Sequence, residues 1–238
     1  MRRPPHPAAA ALVGGAAAWA LPAPAAHFPP LCSVLNIARR AQPGPGAVCL
    51  TFDDGPHPEG TPAVLRALER AGASATFFVV ADQARRHPGV LEEVVAAGHR
   101  LAVHGDRHVC QLRRSPRALA ADLDRCAALV AERQGAPTTF WRPPYGVFSP
   151  AGLALGARRG WTPMLWSRWG RDWQRGATPA SIARRAGARA VAGDVLLLHD
   201  SDHYGAPGSW RRTVAALPLL LDALGRRGLR AVALEDGH

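Results

Sequence analysis

The stretch AVCLTFDDGP, residues 47–56, joins a short apolar run to two adjacent carboxylates and then to a Gly-Pro pair. The apolar run has the length and composition of a strand, and Gly55-Pro56 turns the chain sharply after it. Asp53 and Asp54 repel each other in a site of low dielectric, and one takes up a proton unless a cation lies between them and other ligands. The stretch therefore predicts a strand whose end delivers acidic groups to a bound cation.

The rest of the chain repeats this organisation, because short apolar runs alternate with longer stretches of helical period. Seven runs are predicted to be strands, at residues 47–52, 75–80, 100–103, 138–142, 162–167, 195–199 and 230–234. Strands that alternate with helices form parallel β/α units with right-handed crossovers, in a barrel or in an open doubly wound sheet. Seven β/α units are one fewer than a complete eight-unit barrel contains. Residues 47–238 are predicted to be one α/β domain.

Helix starts and stops support this alternation. Four sites combine a capping hydroxyl with a proline at the first helical position, namely Thr61-Pro62, Ser115-Pro116, Ser149-Pro150 and Thr178-Pro179. Glycines at 72, 98, 135, 160 and 228 supply the stops. The spacing of Leu119, Leu123, Cys126 and Val130 collects them on one helical face, which we expect to pack on the sheet.

Polar or ionisable residues follow five of the predicted strands. They are Asp53 with Asp54, His104 with His108 in HGDRH, the RPPYG stretch from Arg142 to Gly146, Asp172 with Trp173, and His199 with Asp200. In parallel β/α folds the chemistry gathers at the carboxyl ends of the strands. The sequence therefore predicts one site built from five strand ends.

The two histidines of HGDRH are candidate metal ligands. His104 and His108 are four residues apart and can face the same way on a helical turn. With one carboxylate they complete a set of two histidines and one acid, which leaves a position open for water. Taken alone, such a pair is more often solvated or hydrogen-bonded, but its place after a tandem Asp and a short strand favours a divalent metal.

Composition indicates an ordinary globular protein with an unusual charge. The 238 residues carry a net charge of +11, and every one of the 29 basic residues is Arg. A solvated surface explains scattered arginines, and no specific nucleic-acid site is predicted. Attraction to an anionic partner, such as an acidic cell-wall polymer, lipid or nucleic acid, is the alternative interpretation.

The amino terminus differs from the rest of the chain. Arg2-Arg3 precede an uncharged stretch whose residues 8–21 are nearly all apolar, and Ala23-Pro24-Ala25 resembles a cleavage site. Residues 1–46 are therefore predicted to be a signal peptide or a membrane anchor followed by a linker at 39–46. A secreted or membrane-anchored extracellular protein is expected, with a cytoplasmic location as the alternative.

The four cysteines show no metal-binding or redox spacing. Cys32, Cys49, Cys110 and Cys126 lack any C-x-x-C motif, so each is expected to be a small buried apolar residue. In an exported protein Cys110 and Cys126 are a candidate disulfide pair.

The ordered motifs TFDDGP, HGDRH, RPPYG, WGRDW and LLLHD resemble those of the polysaccharide deacetylases of carbohydrate esterase family 4. The resemblance covers residues 47 to about 234. It implies a distorted (β/α)7-type barrel that removes acetyl groups from N-acetylglucosamine units of chitin, peptidoglycan or related glycans. A divalent metal, usually zinc, is the implied cofactor.

The resemblance also implies residue roles. Asp53 becomes the general base, His199 the general acid, and Asp54, His104 and His108 the metal ligands. Supporting roles fall to Arg142, which holds Asp53, to Asp172, which supports His199, to the backbone N–H of Tyr145 at the oxyanion, and to Trp173 with Leu197 in the acetyl pocket.

This chain departs from the family pattern at two positions. Gly105 replaces a frequent Ser or Thr that braces the histidine loop, so that brace must come from elsewhere or be absent. Trp169 replaces an Asp, and we expect it either to stack on sugar or to pack.

Three alternative functions remain open at this stage. They are a catalytically silent glycan-binding module on the same barrel, an O-acetyl esterase of the xylan type, and an Arg-driven binder of anionic polymer.

Overall fold

A computed structural model describes residues 20–235 of the chain. Within this range eight strands form one sheet. They are β1 (Ala47–Asp53), β2 (Thr76–Val80), β3 (Arg100–Gly105), β4 (Phe140–Trp141), β5 (Thr162–Pro163), β6 (Arg168–Trp169), β7 (Val195–His199) and β8 (Arg230–Val232). Six of the seven predicted runs match one strand each. The run at 162–167 was wrong as a single strand, because it divides into β5 and the approach to β6.

The sheet is parallel throughout and curled. Its strands follow the order β5-β4-β3-β2-β1-β7-β6, and β8 pairs with β1 outside that path. The start of β1 pairs with β8 and its end pairs with β2, while β7 runs along its other side. The two ends of the path, β5 and β6, are joined by only four residues, 164–167. This is the incomplete barrel that the sequence predicted.

Eight α-helices in the described range connect the strands or precede them. They are α1 (Pro29–Val34), α2 (Gly60–Arg70), α3 (Ala81–Arg86), α4 (Pro88–Ala96), α5 (Pro116–Gln134), α6 (Pro150–Arg158), α7 (Pro179–Gly187) and α8 (Ser209–Gly225). Short 3₁₀ helices cover Ala23–Ala26, Gln111–Arg113 and Pro144–Gly146. Leu119, Leu123, Cys126 and Val130 of α5 are all buried, as their spacing predicted.

Three of the four predicted helix caps are confirmed. The hydroxyls of Ser115, Ser149 and Thr178 each accept a backbone N–H in the first turn of their helix. Thr61 is the exception, because α2 begins at Gly60 and Thr61 lies inside it. Its hydroxyl donates instead to the carboxylate of Asp200, which joins the start of α2 to the end of β7.

The core lies on both faces of the central strands. All seven residues of β1 and all five of β2 are buried, as expected for a parallel sheet covered on both sides. Phe52 and Phe77 stack at 5.1 Å between ring centroids across this pair of strands. All four cysteines are free, so the candidate pair Cys110 and Cys126 is not bonded. Cys32, Cys49 and Cys126 are buried as expected, whereas Cys110 is only partly buried.

The segment before β1 packs against the domain. Ala25 and Ile37 are buried in the core, and the thiol of Cys32 donates to the carbonyl of Ala25. Within the range 39–46 that was interpreted as a linker, Arg39 donates to the carbonyl of Trp166, and Arg40 pairs with Asp194 at 2.6 Å. The domain boundary at residue 47 stays a prediction.

Most of the predicted leader lies outside the described residues. Residues 1–19 hold the basic pair and much of the apolar stretch, so the predicted signal peptide or anchor falls largely outside the structure. Among residues 20–235, no helix combines the length and the apolar character needed to cross a bilayer.

Candidate active site

The carboxyl ends of β1, β3 and β7 open into a pocket of about 370 Å³, which is within the range of ligand-binding sites. Eight predicted site residues line it, namely Asp53, Asp54, His104, His108, Tyr145, Trp173, Leu197 and His199. The other two, Arg142 and Asp172, are fully buried behind it. The structure therefore brings together all ten residues singled out in the sequence.

Asp54 itself makes the turn that lets both carboxylates face the pocket. Its φ is 79°, in the left-handed region that residues other than glycine rarely adopt. Gly55 follows, and a Cβ there would lie 2.3 Å from a carboxylate oxygen of Asp200. The Gly-Pro pair alone does not explain the arrangement. Asp53 ends the strand, Asp54 takes the left-handed conformation, and Gly55 packs against the buried Asp200.

Asp200, which follows His199 at the end of β7, is buried beneath this turn. It is 1% exposed and accepts a hydrogen bond from Thr61. Burial raises the pKa of Asp200 to about 7, against the opposing effect of the Thr61 hydrogen bond. Its role is to pack beneath the turn at Gly55, where only a residue without a side chain fits.

Asp54, His104 and His108 form a cluster with metal-binding geometry. Oδ1 of Asp54 lies 3.3 Å from Nε2 of His104 and 3.1 Å from Nε2 of His108. One ligand atom from each residue lies within 4.8 Å of the other two. Burial opposes ionisation of Asp54, but the hydrogen bonds with both histidines hold its pKa well below the usual range. A carboxylate facing two imidazole nitrogens is a donor set suited to a divalent transition metal.

The histidines do not share a helical turn, and that part of the prediction was wrong. His104 is the fifth residue of β3, and His108 lies in the loop that follows. Gly105 turns the chain between them with φ of 126°, a conformation that L side chains rarely adopt. The two rings come to 5.4 Å between centroids through this turn.

Neighbouring groups orient both rings. Nδ1 of His104 lies 2.8 Å from the carbonyl oxygen of Arg142, so it donates there and leaves Nε2 free to bind a metal. His108 stacks on Tyr204 at 3.9 Å between centroids and meets the edge of Tyr145 at 4.4 Å. Its buried Nδ1 has no hydrogen-bond partner among the described residues. The ring contacts hold Nε2 of His108 towards Asp54, and the three residues fit a bound divalent cation.

The loop brace that Gly105 cannot supply comes from α5 and α3. The backbone N–H of Asp106 donates to Asp122 on α5 at 3.0 Å. The Asp106 carboxylate receives Arg85 of α3 at 2.7 Å and Arg125 of α5 at 2.9 Å. Asp106 thus bonds away from the Asp54–His104–His108 cluster and fixes the histidine loop between two helices.

Asp53 is fixed by a buried arginine. Nη1 of Arg142 donates to Oδ1 of Asp53 at 2.5 Å and to the hydroxyl of Thr51 at 3.0 Å. The rest of the guanidinium donates to the carbonyls of Met164 and Leu165. Burial lowers the pKa of Arg142, and the Asp53 carboxylate opposes that shift. This network leaves Oδ2 of Asp53 as the oxygen that can accept a proton in the pocket.

His199 is held from the opposite side by Asp172. Nδ1 of His199 lies 2.9 Å from Oδ1 of Asp172, and its backbone N–H donates to Oδ2 at 2.7 Å. Thr213 of α8 donates a third hydrogen bond to this carboxylate at 2.7 Å. Burial acts to lower the pKa of His199, but Asp172, with smaller effects from Asp54 and Asp53, raises it to about 10. The pairing at Nδ1 leaves Nε2 towards the pocket, 3.9 Å from Asp54.

The remaining predicted residues form walls of the pocket. Trp173 meets His199 nearly edge-on at 5.2 Å between centroids, and Leu197 is buried on β7. Tyr145 is 58% exposed and has φ of 62°, another left-handed position outside glycine. The backbone of Tyr145 therefore departs from helical geometry within the short helix Pro144–Gly146.

Sequence reasoning missed three lining residues, which are His27, Trp166 and Tyr204, and it left Trp169 open between sugar stacking and packing. Trp169 contacts Trp166, Trp173 and His27 at 5.3 to 5.8 Å between centroids, so it lies at the centre of an aromatic wall. His27 and Tyr204 lie in segments that match no family motif, and nothing in the sequence pattern linked them to the pocket.

Comparison with known proteins agrees with this geometry. The sequence model of the family described as polysaccharide deacetylase matches residues 40–163. The chain belongs to the polysaccharide deacetylase family. It is accordingly a hydrolase that acts on amide bonds.

Three similar proteins illustrate the relationship. A chitooligosaccharide deacetylase of Sinorhizobium fredii is 34% identical over 222 residues, which cover 86% of this chain and 97% of that protein. A peptidoglycan-N-acetylglucosamine deacetylase of Bacillus cereus is 32% identical over 191 residues, covering 79% and 86%. The solved structure of a family 4 carbohydrate esterase from Streptomyces lividans in complex with acetate has a TM-score of 0.70 at 29% identity, covering 78% and 91%.

Proposed function

We propose that the protein removes acetyl groups from N-acetylated amino sugars of a polysaccharide, of the chitin or peptidoglycan type. One observation carries this proposal. A base held by Arg142 and an acid held by Asp172 lie in one pocket with the Asp54–His104–His108 cluster. The relatives named for chitooligosaccharide and for peptidoglycan N-acetylglucosamine support the substrate class.

Asp54, His104 and His108 would hold the cofactor, and zinc suits two imidazoles and one carboxylate. A bound divalent cation supplies Lewis acidity, which makes water a better nucleophile and polarises the acetyl carbonyl. All other steps of the proposed mechanism belong to side chains and backbone groups of this chain.

Asp53 would act as the general base. Its Oδ1 is engaged by Arg142, so Oδ2 is the atom that accepts the proton from the attacking water. Arg142 fixes the position of Asp53, and it cannot itself approach the substrate because it is fully buried. The two adjacent carboxylates therefore have different tasks, with Asp53 bound to a cationic side chain and Asp54 facing the two histidines.

His199 would act as the general acid. An amine is a poor leaving group until it is protonated, and Nε2 of His199 is the nitrogen that faces the pocket. Asp172 orients the ring and favours its charged form. The backbone N–H of Tyr145 would stabilise the negative oxygen that develops during attack, a type of contact worth roughly 3–4 kcal/mol per donor. Trp173 and Leu197 would bound the space for the acetyl methyl group.

The test is acetate release from N-acetylchitotetraose, from peptidoglycan and from acetylated xylan, run beside elemental analysis for metal. We expect zinc at about one equivalent and acetate from the first two substrates. Asp53→Asn should lose about 10²–10⁴-fold in activity while it keeps the metal, since it removes a general base and no ligand. Glycan binding without acetate release would favour the silent binding module, and release from xylan alone would favour an O-acetyl esterase.

The predicted export of the protein remains part of this proposal. An extracellular enzyme would meet wall polymers or chitin directly, and the apolar residues 8–21 supply the sequence evidence for export. Amino-terminal sequencing of protein recovered from culture medium and from membranes tests this expectation.

A further inference from the structure

A second cleft of about 330 Å³ adjoins the active-site pocket. It is lined by Ser167, Arg168, Trp169, Arg171 and Arg185. Trp169 lines both spaces, so one indole separates the catalytic pocket from the second cleft. A glycan bound in the pocket would pass close to this cleft if it extended past Trp169.

The lining of the second cleft is basic. Three of its five residues are arginines, and none of the five is acidic. Asp194 lies 2.9 Å from Nε of Arg168, but it also pairs with Arg40 at 2.6 Å and so cannot neutralise the cleft. Arg171 and Arg185 form no ion pair with a residue in the described part of the chain. The cleft therefore keeps an excess of positive charge.

Arg171 lies in the segment after β6, directly before Asp172, which bonds to the proposed general acid His199. Its φ is 53°, left-handed for a residue with a side chain, and its guanidinium carbon lies 4.7 Å above the ring of Trp169. The next residue, Asp172, is fully buried and bonded to His199. Asp172 thereby fixes the chain at Arg171, while Arg185 approaches independently from α7.

We propose that the second cleft binds a carboxylate carried by the glycan, next to the sugar that is deacetylated. Arginine guanidiniums recognise carboxylates through paired N–H donors, and Trp169, whose ring carries the Arg171 guanidinium, joins this cleft to the catalytic pocket. This inference rests on the proposed deacetylase function, and it makes an acidic glycan a better substrate than neutral chitin. The carboxylate could come from a peptide or lactyl group of peptidoglycan or from a uronic acid.

Steady-state kinetics on matched substrates test the proposal. The neutral substrate is N-acetylchitotetraose, and the acidic substrates are a muropeptide tetrasaccharide with free carboxylates and an oligosaccharide that alternates N-acetylglucosamine with glucuronate. The muropeptide is also assayed after its carboxylates have been converted to amides. The measured quantity is the ratio of kcat/KM on each acidic substrate to kcat/KM on chitotetraose.

We expect Arg171→Gln/Arg185→Gln to lower this ratio about fivefold to tenfold for at least one acidic substrate, through a higher KM. If the muropeptide is the substrate that responds, amidation of its carboxylates should lower the ratio of the wild-type protein by a similar factor. The substrate that responds identifies the source of the carboxylate. Arg185→Gln alone should shift the ratio in the same direction. Arg185 lies on the surface of α7 and does not touch Asp172, so this variant leaves the support of His199 intact.

Arg66→Gln/Arg70→Gln is the matched control. It removes the same two charges from exposed positions on α2, a helix that runs back from the edge of the sheet where the site lies. The ratio should not change in this variant. A ratio unaltered on every acidic substrate in both the double and the Arg185 variants would overturn the proposal, as would an arginine-dependent preference for the muropeptide that survives amidation.

Calorimetric binding of the acidic substrates separates this inference from the proposed function. Arginine-dependent binding without acetate release from any substrate would refute the deacetylase activity and keep the carboxylate site. Acetate release with no dependence on either arginine would refute the carboxylate site and keep the deacetylase activity.

Discussion

The floor of the active-site pocket and its rim are built in different ways. The floor comprises Asp53, Asp54, His104, Arg142 and Asp172, all no more than 7% exposed. The rim comprises His27, Tyr145, Trp169, Trp173 and Tyr204, all partly exposed, with Tyr145 at 58% and Tyr204 at 37%. The floor is held by directional bonds between polar groups, whereas the rim is held chiefly by contacts between rings.

This difference follows from what each region has to do. Charges that develop during hydrolysis are best stabilised by groups fixed in advance in a site of low dielectric, which requires buried and fully bonded partners. A polysaccharide must also enter and leave, so the surface that meets it has to be open. Aromatic faces suit that surface because they contact sugars without a fixed hydrogen-bond pattern. In the proposed function the floor therefore sets the chemistry, and the rim sets which glycans reach it.

The largest expected effect concerns the stability of the floor. Arg142→Leu leaves the Asp53 carboxylate buried without its cation, and the free energy of unfolding should fall by about 3–5 kcal/mol. Urea denaturation followed by circular dichroism measures this loss. Adding Asp53→Asn to Arg142→Leu removes the unpaired charge and should restore part of the stability. If the double variant is as unstable as the sum of the single variants, the buried ion pair is not the cause.

The next effect concerns the acid side of the floor. Asp172→Asn removes the carboxylate that orients His199, and kcat/KM for acetate release should fall about 100-fold. Metal content should stay unchanged, because Asp172 contacts none of the three proposed ligands. Thr213→Val removes only one of the hydrogen bonds to Asp172 and should lose much less. Equal losses in the two variants would contradict an orienting role for Asp172.

The third prediction concerns Asp194, a buried carboxylate that pairs with Arg40 and with Arg168 of the second cleft. Asp194 accepts bonds from Arg40, Arg168, Ser167 and the backbone N–H of Val191. Burial opposes ionisation of Asp194, but these partners lower its pKa below the usual value. Asp194→Asn should therefore cost about 2 kcal/mol of unfolding free energy at pH 7.

The pH dependence of that cost has a definite sign. A lowered folded-state pKa contributes stability in full above the unfolded pKa of about 3.9, and the contribution is lost as the pH falls through the folded value. Urea titrations at pH 7, 5 and 3.5 should show the wild type and Asp194→Asn converging only at the lowest pH. Asp222→Asn, in an exposed pair with Arg226, is the control and should cost little at any pH. A gap independent of pH would refute the ionic explanation.

The smallest effect concerns substrate contact at the rim. Trp169→Ala removes the central ring of the aromatic wall and should raise KM on chitotetraose about threefold to tenfold, with kcat nearly unchanged. Trp161→Ala is the matched control, because Trp161 contacts Arg159 and does not line the pocket. A large fall in kcat for Trp169→Ala would show that the rim also positions the reacting groups.

The floor and the rim also differ in how much of each could be predicted from the sequence. The floor residues stand at predicted strand ends within short motifs, so the sequence located all of them. The rim was found only in part, because His27 lies before the first strand and Tyr204 lies in the loop after β7. Both reach the pocket through contacts between segments far apart in the chain.

The sequence alone determined the alternation of strands and helices, most of the helix caps and the set of residues proposed to carry the chemistry. These properties depend on local periodicity and on the rule that parallel strands bring their carboxyl ends to one edge. Local signals failed at Thr61 and at the run 162–167, where bonds to distant segments prevailed.

Only the tertiary structure decided how those residues are held. Asp54 takes a left-handed conformation next to Gly55, which packs on Asp200, and the brace of the histidine loop comes from Asp122. Arg142 reaches Asp53 across 89 residues of sequence. A sequence records which groups are present, but burial, charge pairing and ring contacts arise when remote segments pack together, and those interactions set the geometry of the site.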